Sequence, residues 1–85
     1  MNIKILYLAR IKEAVNYSTE EITLPIEIST VTALKNYLAL RGEIWANLFN
    51  GKQTIRAAIN HELVADLATI KAGDEVAFFP PVTGG

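Results

Sequence analysis

Apolar and polar residues alternate almost from the first position. In residues 2–8, Ile3, Ile5 and Tyr7 fall on one face of an extended chain and Lys4, Leu6 and Leu8 on the other, which predicts a strand. Both faces carry apolar residues, so this strand belongs in the centre of a sheet or turns one side to a partner. Arg10 to Val15 reads as a short helical turn ending near Asn16 and Ser18. From Glu20 to Pro25 the alternation returns, with Ile22 and Leu24 inward and Glu21 and Thr23 outward, and predicts a second strand paired back onto the first.

The period then changes. Val31, Leu34 and Leu38 form one helical stripe behind Thr30, a good N-cap. Arg41 is expected in the last turn, where it suits the helix dipole, and Gly42 is expected to stop the helix. Ala33 stands where a Glu or Gln would complete a capping box. Ile44, Trp45, Leu48 and Phe49 predict a second short helical segment closing one end of the core, and Asn50-Gly51 a turn. Thr54 to Asn60 predicts a third strand, with Ile55, Ala57 and Ile59 inward and Arg56 on the opposite face. His61-Glu62 reads as a turn into a short strand at Leu63-Val64, Leu67 and Ile70 add a further apolar segment, and Lys71 to Asp74 is another turn. Glu75 to Phe79 is the last strand, which Pro80-Pro81 ends because neither proline donates a ladder hydrogen bond.

Two strands, a main helix and three further strands fit an α+β domain of the β-grasp, or ubiquitin-like, kind: a mixed sheet curled around one helix. The last strand is expected to enter the middle of the sheet beside the first and parallel to it. Residues 1–81 are read as that domain and residues 82–85 as a flexible tail.

Composition narrows the function classes. The 85 residues are 51% hydrophobic and 20% charged, as in an ordinary globular domain. A net charge of -1 leaves no electrostatic footprint for nucleic acid. There is no cysteine, which removes disulfides, thiolate metal sites and a cysteine nucleophile. The first residues are too short and too alternating for a signal peptide, and no apolar stretch approaches the roughly 20 residues of a membrane span. The cytoplasm is the expected compartment.

Internal candidates for chemistry are weak. His61, the only histidine, sits in a turn without a nucleophile or second ligand nearby. Glu20 and Glu21 point to opposite faces of a strand, which reads as a solvated strand start. Gly51 and Gly73 are single turn glycines, and Trp45 and Phe49 read as core or its rim.

The C-terminal end differs. Gly84-Gly85 forms a thin arm with a free carboxylate, able to thread a narrow channel, and Pro80-Pro81 projects it away from the sheet. Alternation leaves open which of Phe78 and Phe79 points inward. With Phe78 under the helix, Phe79 faces away, as Leu8 does on the first strand, and Leu8, Phe79 and Leu63 then form an exposed apolar patch near the tail.

The run from Gly73 through Phe78-Phe79-Pro80-Pro81-Val82-Thr83-Gly84-Gly85 closely resembles the end of the molybdopterin synthase small subunits, the MoaD family. The first strand and turn, Ile5 to Glu13, and the segments Ala57 to Asn60 and Leu63-Val64 resemble that family too, whereas residues 27–53 are the least distinctive. The resemblance implies a sulfur carrier. Gly85 would be adenylated with ATP by a partner resembling ubiquitin-activating enzymes (MoeB), then converted to a thiocarboxylate. Gly84 gives the tail its freedom, and the chain itself binds no cofactor. The loaded tail would enter the large subunit (MoaE), in a heterotetramer of two small and two large subunits, and pass sulfur to cyclic pyranopterin monophosphate. Leu8, Leu63, Phe79, Pro80, Pro81, Val82 and Thr83 would meet the partners, and Arg10, Lys12 and Arg56 would add rim contacts. Carriers serving thiamine synthesis or transfer-RNA thiolation, and modifiers that form isopeptide bonds, share such an end and stand as alternatives.

Overall fold

The computed structural model describes residues 1–50 and 54–81. Eight elements follow in order: β1 (Asn2–Tyr7), α1 (Arg10–Val15), β2 (Thr19–Thr23), α2 (Val31–Ala39), α3 (Glu43–Phe49), β3 (Arg56–Ile59), β4 (Glu62–Val64) and β5 (Glu75–Phe79). The strands form one mixed sheet in the order β2-β1-β5-β3-β4. β5 runs parallel to β1, and every other pair is antiparallel. The last strand therefore lies in the middle of the sheet, beside the first and parallel to it, as the order of elements predicts.

Strand periodicity builds the core directly. Ile3, Ile5 and Tyr7 of β1, Ala57 of β3, and Val76 and Phe78 of β5 are buried beneath Val31, Leu34 and Leu38 of α2. Ile11 and Val15 seat α1, while Leu48 and Phe49 seat α3. Thr30 caps α2 by accepting from the Ala33 amide at 3.1 Å, one half of a capping box. The loop before β5 is stitched to the start of this helix, the amides of Val31 and Thr32 donating to Ala68 and Asp66 carbonyls. Lys35 of α2 adds an ion pair to Asp66 and donates to the Ile55 carbonyl.

Tight turns carry the positive φ angles. Asn60 (φ 50°) and His61 (φ 73°) are the two central residues of the β3–β4 hairpin, as a primed two-residue turn requires. Gly73 (φ 86°) occupies the third position of the Lys71 to Asp74 turn, where a side chain would be strained.

Three expectations need correction. Helix α2 stops at Ala39 with Leu40 as its C-cap, so Arg41 is not in its last turn. Gly42 instead precedes α3 as its N-cap position. The segment at Leu67 and Ile70 divides, Ile70 being buried and Leu67 81% exposed. The Gly51 half of the Asn50-Gly51 turn and the tail at 82–85 lie outside the described residues. Among the described residues no helix is long and apolar enough to cross a membrane.

Candidate functional site

The face of the sheet turned away from α2 can be read row by row from the strand registers. At one end, Glu21, Lys4 and Glu75 stand side by side on β2, β1 and β5. The next row on this face is apolar across four strands, Leu6, Ala77, Ala58 and Leu63 on β1, β5, β3 and β4, and ends in Thr19 on β2. The last pairs Phe79 with Arg56, and one step along the same parallel register brings Leu8 beside Phe79. The Leu8 amide donates to the Phe78 carbonyl at 3.0 Å, so the ladder persists to this edge. Leu8 is 43% exposed and Leu63 60%, whereas Phe79 is half-buried by its neighbours.

Leu8, Leu63 and Phe79 thus share a face, as predicted. The register adds Leu6, Ala58 and Ala77, which sequence reasoning missed although the same parity marks them. Together they make an apolar band across four strands, a surface of the kind that partners cover. Pro80 and Pro81 leave the sheet at its Phe79 end and are half-buried, so the chain departs from beside this band. Val82, Thr83, Gly84 and Gly85 lie outside the described residues.

Beneath the tail root, on the core side, aromatic rings hold β5 in place. Phe78 is fully buried, stacks with Tyr7 at 6.4 Å between centroids and meets Phe49 edge-on at 5.1 Å. Trp45 of α3 contacts Tyr7 edge-on at 5.7 Å and stacks with Phe49 at 6.3 Å. The choice between the two phenylalanines is thereby resolved: Phe78 anchors the strand, and Phe79 serves the surface.

A polar cluster closes this aromatic corner. The Tyr7 hydroxyl donates to Glu20. Arg41 donates to both oxygens of the same carboxylate, at 2.6 and 3.3 Å, and lies 4.7 Å over the Trp45 ring. Burial, reinforced by the Glu20 hydrogen bond and charge, pushes the Tyr7 phenol far above its ordinary value. Partial desolvation works against the Arg41 charge, but its bonds to Glu20 outweigh this and raise its pKa. Glu20 is therefore not a solvated strand start. Its place in sequence gives the clue: it shares the inward parity of Ile22 and Leu24, and a carboxylate on that face needs a partner.

The other internal candidates find ordinary roles. His61 is a hairpin turn residue at the end of the sheet remote from the tail root. Among the described residues no group of three or more His, Cys, Asp or Glu side chains is placed to hold a metal ion.

Comparison with known proteins agrees with this arrangement. The chain is 42% identical over 84 residues to the molybdopterin synthase sulfur carrier subunit of Escherichia coli K12, covering 98% of this chain and 99% of that protein. SAMP1 from Haloferax volcanii superposes with a TM-score of 0.77 at 24% identity, over the whole of both chains. A chain from the complex of subunits 1 and 2 of the molybdopterin-converting factor of Helicobacter pylori does so with a TM-score of 0.67 at 22% identity, again over the whole of both. These two likenesses establish the shared β-grasp fold. The ThiS family model matches residues 5–85, a span that takes in the second half of the first strand, the apolar band and both terminal glycines. With 81 of its 85 residues inside that match, the chain belongs to the ThiS family.

Proposed function

We propose that this chain is the sulfur carrier subunit of a molybdopterin synthase and that the carboxyl group of Gly85 is its reactive group. The observation that carries this reading is a family match running through Gly85 itself, joined to 42% identity with a protein named for that role. The tail root supports it, because Phe78 fixes the strand from below while Pro80-Pro81 carries the chain off beside an apolar band.

The chemistry explains why so few polar residues are needed. A carboxylate is a poor electrophile, so an activating enzyme of the MoeB kind would join Gly85 to AMP, releasing pyrophosphate from ATP. A sulfur nucleophile then displaces AMP and leaves a thiocarboxylate. The sulfur of that group attacks cyclic pyranopterin monophosphate in the large subunit, MoaE, and water then cleaves the acyl carbon–sulfur bond, leaving the sulfur on the pterin and restoring the Gly85 carboxylate for another round. Acids, bases and phosphate ligands belong to the partners, and glycine at 84 and 85 lets the arm enter both active sites. The apolar band, with Leu8 and Phe79 at its tail-root end and Leu63 on its β4 side, would dock against each partner in turn. A cytoplasmic heterotetramer of two small and two large subunits completes the reading.

Deletion of Gly85 tests it. The truncated chain is expected to fold and to bind the large subunit while molybdopterin formation falls to background. Undiminished product from the truncated chain would overturn the proposal.

A further inference from the structure

The docking face is electrically uneven along its strands, and this has a use. Its acidic row, Glu21 and Glu75 around Lys4, lies four residues from the Leu8, Phe79 and Arg56 row, roughly 13 Å at the rise of a strand. Between them the face carries Leu6, Ala77, Ala58 and Leu63 in register, with Thr19 beside Leu6 on β2. Arg56 is exposed and has no carboxylate within ion-pair distance among the described residues, where the ion pairs are Lys35 with Asp66 and Arg41 with Glu20. Arg10 and Lys12, exposed on α1 directly after Leu8, add positive charge at the same end, opposed there by Glu13. The tail-root end is thus cationic and the far end anionic, with the apolar band between.

We propose that this charge gradient orients docking: the protein surface that covers the band carries carboxylates beside the mouth of the channel that takes the tail, facing Arg56, and basic side chains facing Glu21 and Glu75. An apolar band alone is nearly indifferent to a half-turn about its normal. A half-turn here sets acid on acid and base on base, which opposes that approach, while the productive one is steered. The orientation matters because only one end of the face adjoins the tail root at Pro80-Pro81. This inference rests on the sulfur-carrier reading for the identity of the partner, but not for the existence of the gradient.

The test is stopped-flow association of the full chain with the large subunit of molybdopterin synthase from the same genome, across a range of salt concentrations. Arg56→Glu is expected to slow association about tenfold at low salt, with the difference shrinking at high salt and dissociation changing less. Arg56→Gln should fall between it and the wild type. Equal association rates for all three proteins, or faster association by Arg56→Glu, would overturn the gradient. Arg56 is exposed, and matched circular dichroism spectra and melting temperatures confirm that each variant folds. Failure of the wild-type chain to bind the large subunit would count against the sulfur-carrier reading instead, so the two ideas fail separately.

Discussion

Phe78 and Phe79 are chemically identical neighbours with opposite duties, and the difference comes from the two-residue period of a strand. Phe78 is fully buried against Tyr7 and Phe49, so Phe78→Ala is expected to cost about 3–5 kcal/mol in urea unfolding. Phe79 lies in the apolar band proposed to dock, so Phe79→Asp is expected to weaken large-subunit binding about tenfold or more with a much smaller loss of stability. Isothermal titration of the folded variant checks this, and an unchanged affinity would remove Phe79 from the interface. Tyr7 gives a pH prediction. Its phenol titrates far above the unfolded value of about 10, so its stabilising contribution is intact below that pH and is lost as the pH rises further. Ultraviolet titration should show Tyr7 resisting ionisation until alkaline unfolding, while the unfolded chain ionises it near pH 10. Early ionisation in the folded chain would contradict the buried Tyr7–Glu20 bond. The Phe78/Phe79 alternation was legible in sequence, but its phase was not, because strand parity is indifferent to which face meets the helix.

At the scale of elements, strands were easier to read than helix ends. Alternation located β1 and β5 because each row of side chains has one fate, core or surface. Thr30 was legible as a cap because its side chain acts locally, and Thr30→Ala is expected to cost about 1 kcal/mol in thermal unfolding. The other end of α2 was misread because its stop depends on tertiary contacts: Arg41 leaves the helical path to pair with Glu20 of β2 and cover Trp45. No local rule reports a partner that distant in the chain. The corner between β1 and α1 also escaped notice, since Ala9 adopts φ 54° and ψ -134°, a conformation that favours glycine. Ala9→Gly is therefore expected to raise stability by about 1 kcal/mol in urea unfolding, whereas destabilisation would mean that this corner is relaxed.

Across the whole molecule, one fold brings together features scattered along the chain. Placing β5 between β1 and β3 gathers Leu8, Arg56 and Phe79 at a single edge, although they are far apart in sequence. The apolar patch was partly legible because Leu8 and Phe79 needed only parity and an assumed strand order. Its extension through Leu6, Ala58 and Ala77, and the neighbouring place of Arg56, needed the actual register. The sheet and its core hold the tail root through Phe78, and the proposed reactive group, the Gly85 carboxyl, follows that root in sequence. That claim is tested most directly by the intact mass of the chain after incubation with the activating enzyme, ATP and a sulfur donor. The mass is expected to rise by the difference between one sulfur and one oxygen, on the C-terminal peptide alone and not in a chain lacking Gly85. An unchanged mass, or adducts joined through lysine side chains, would contradict it.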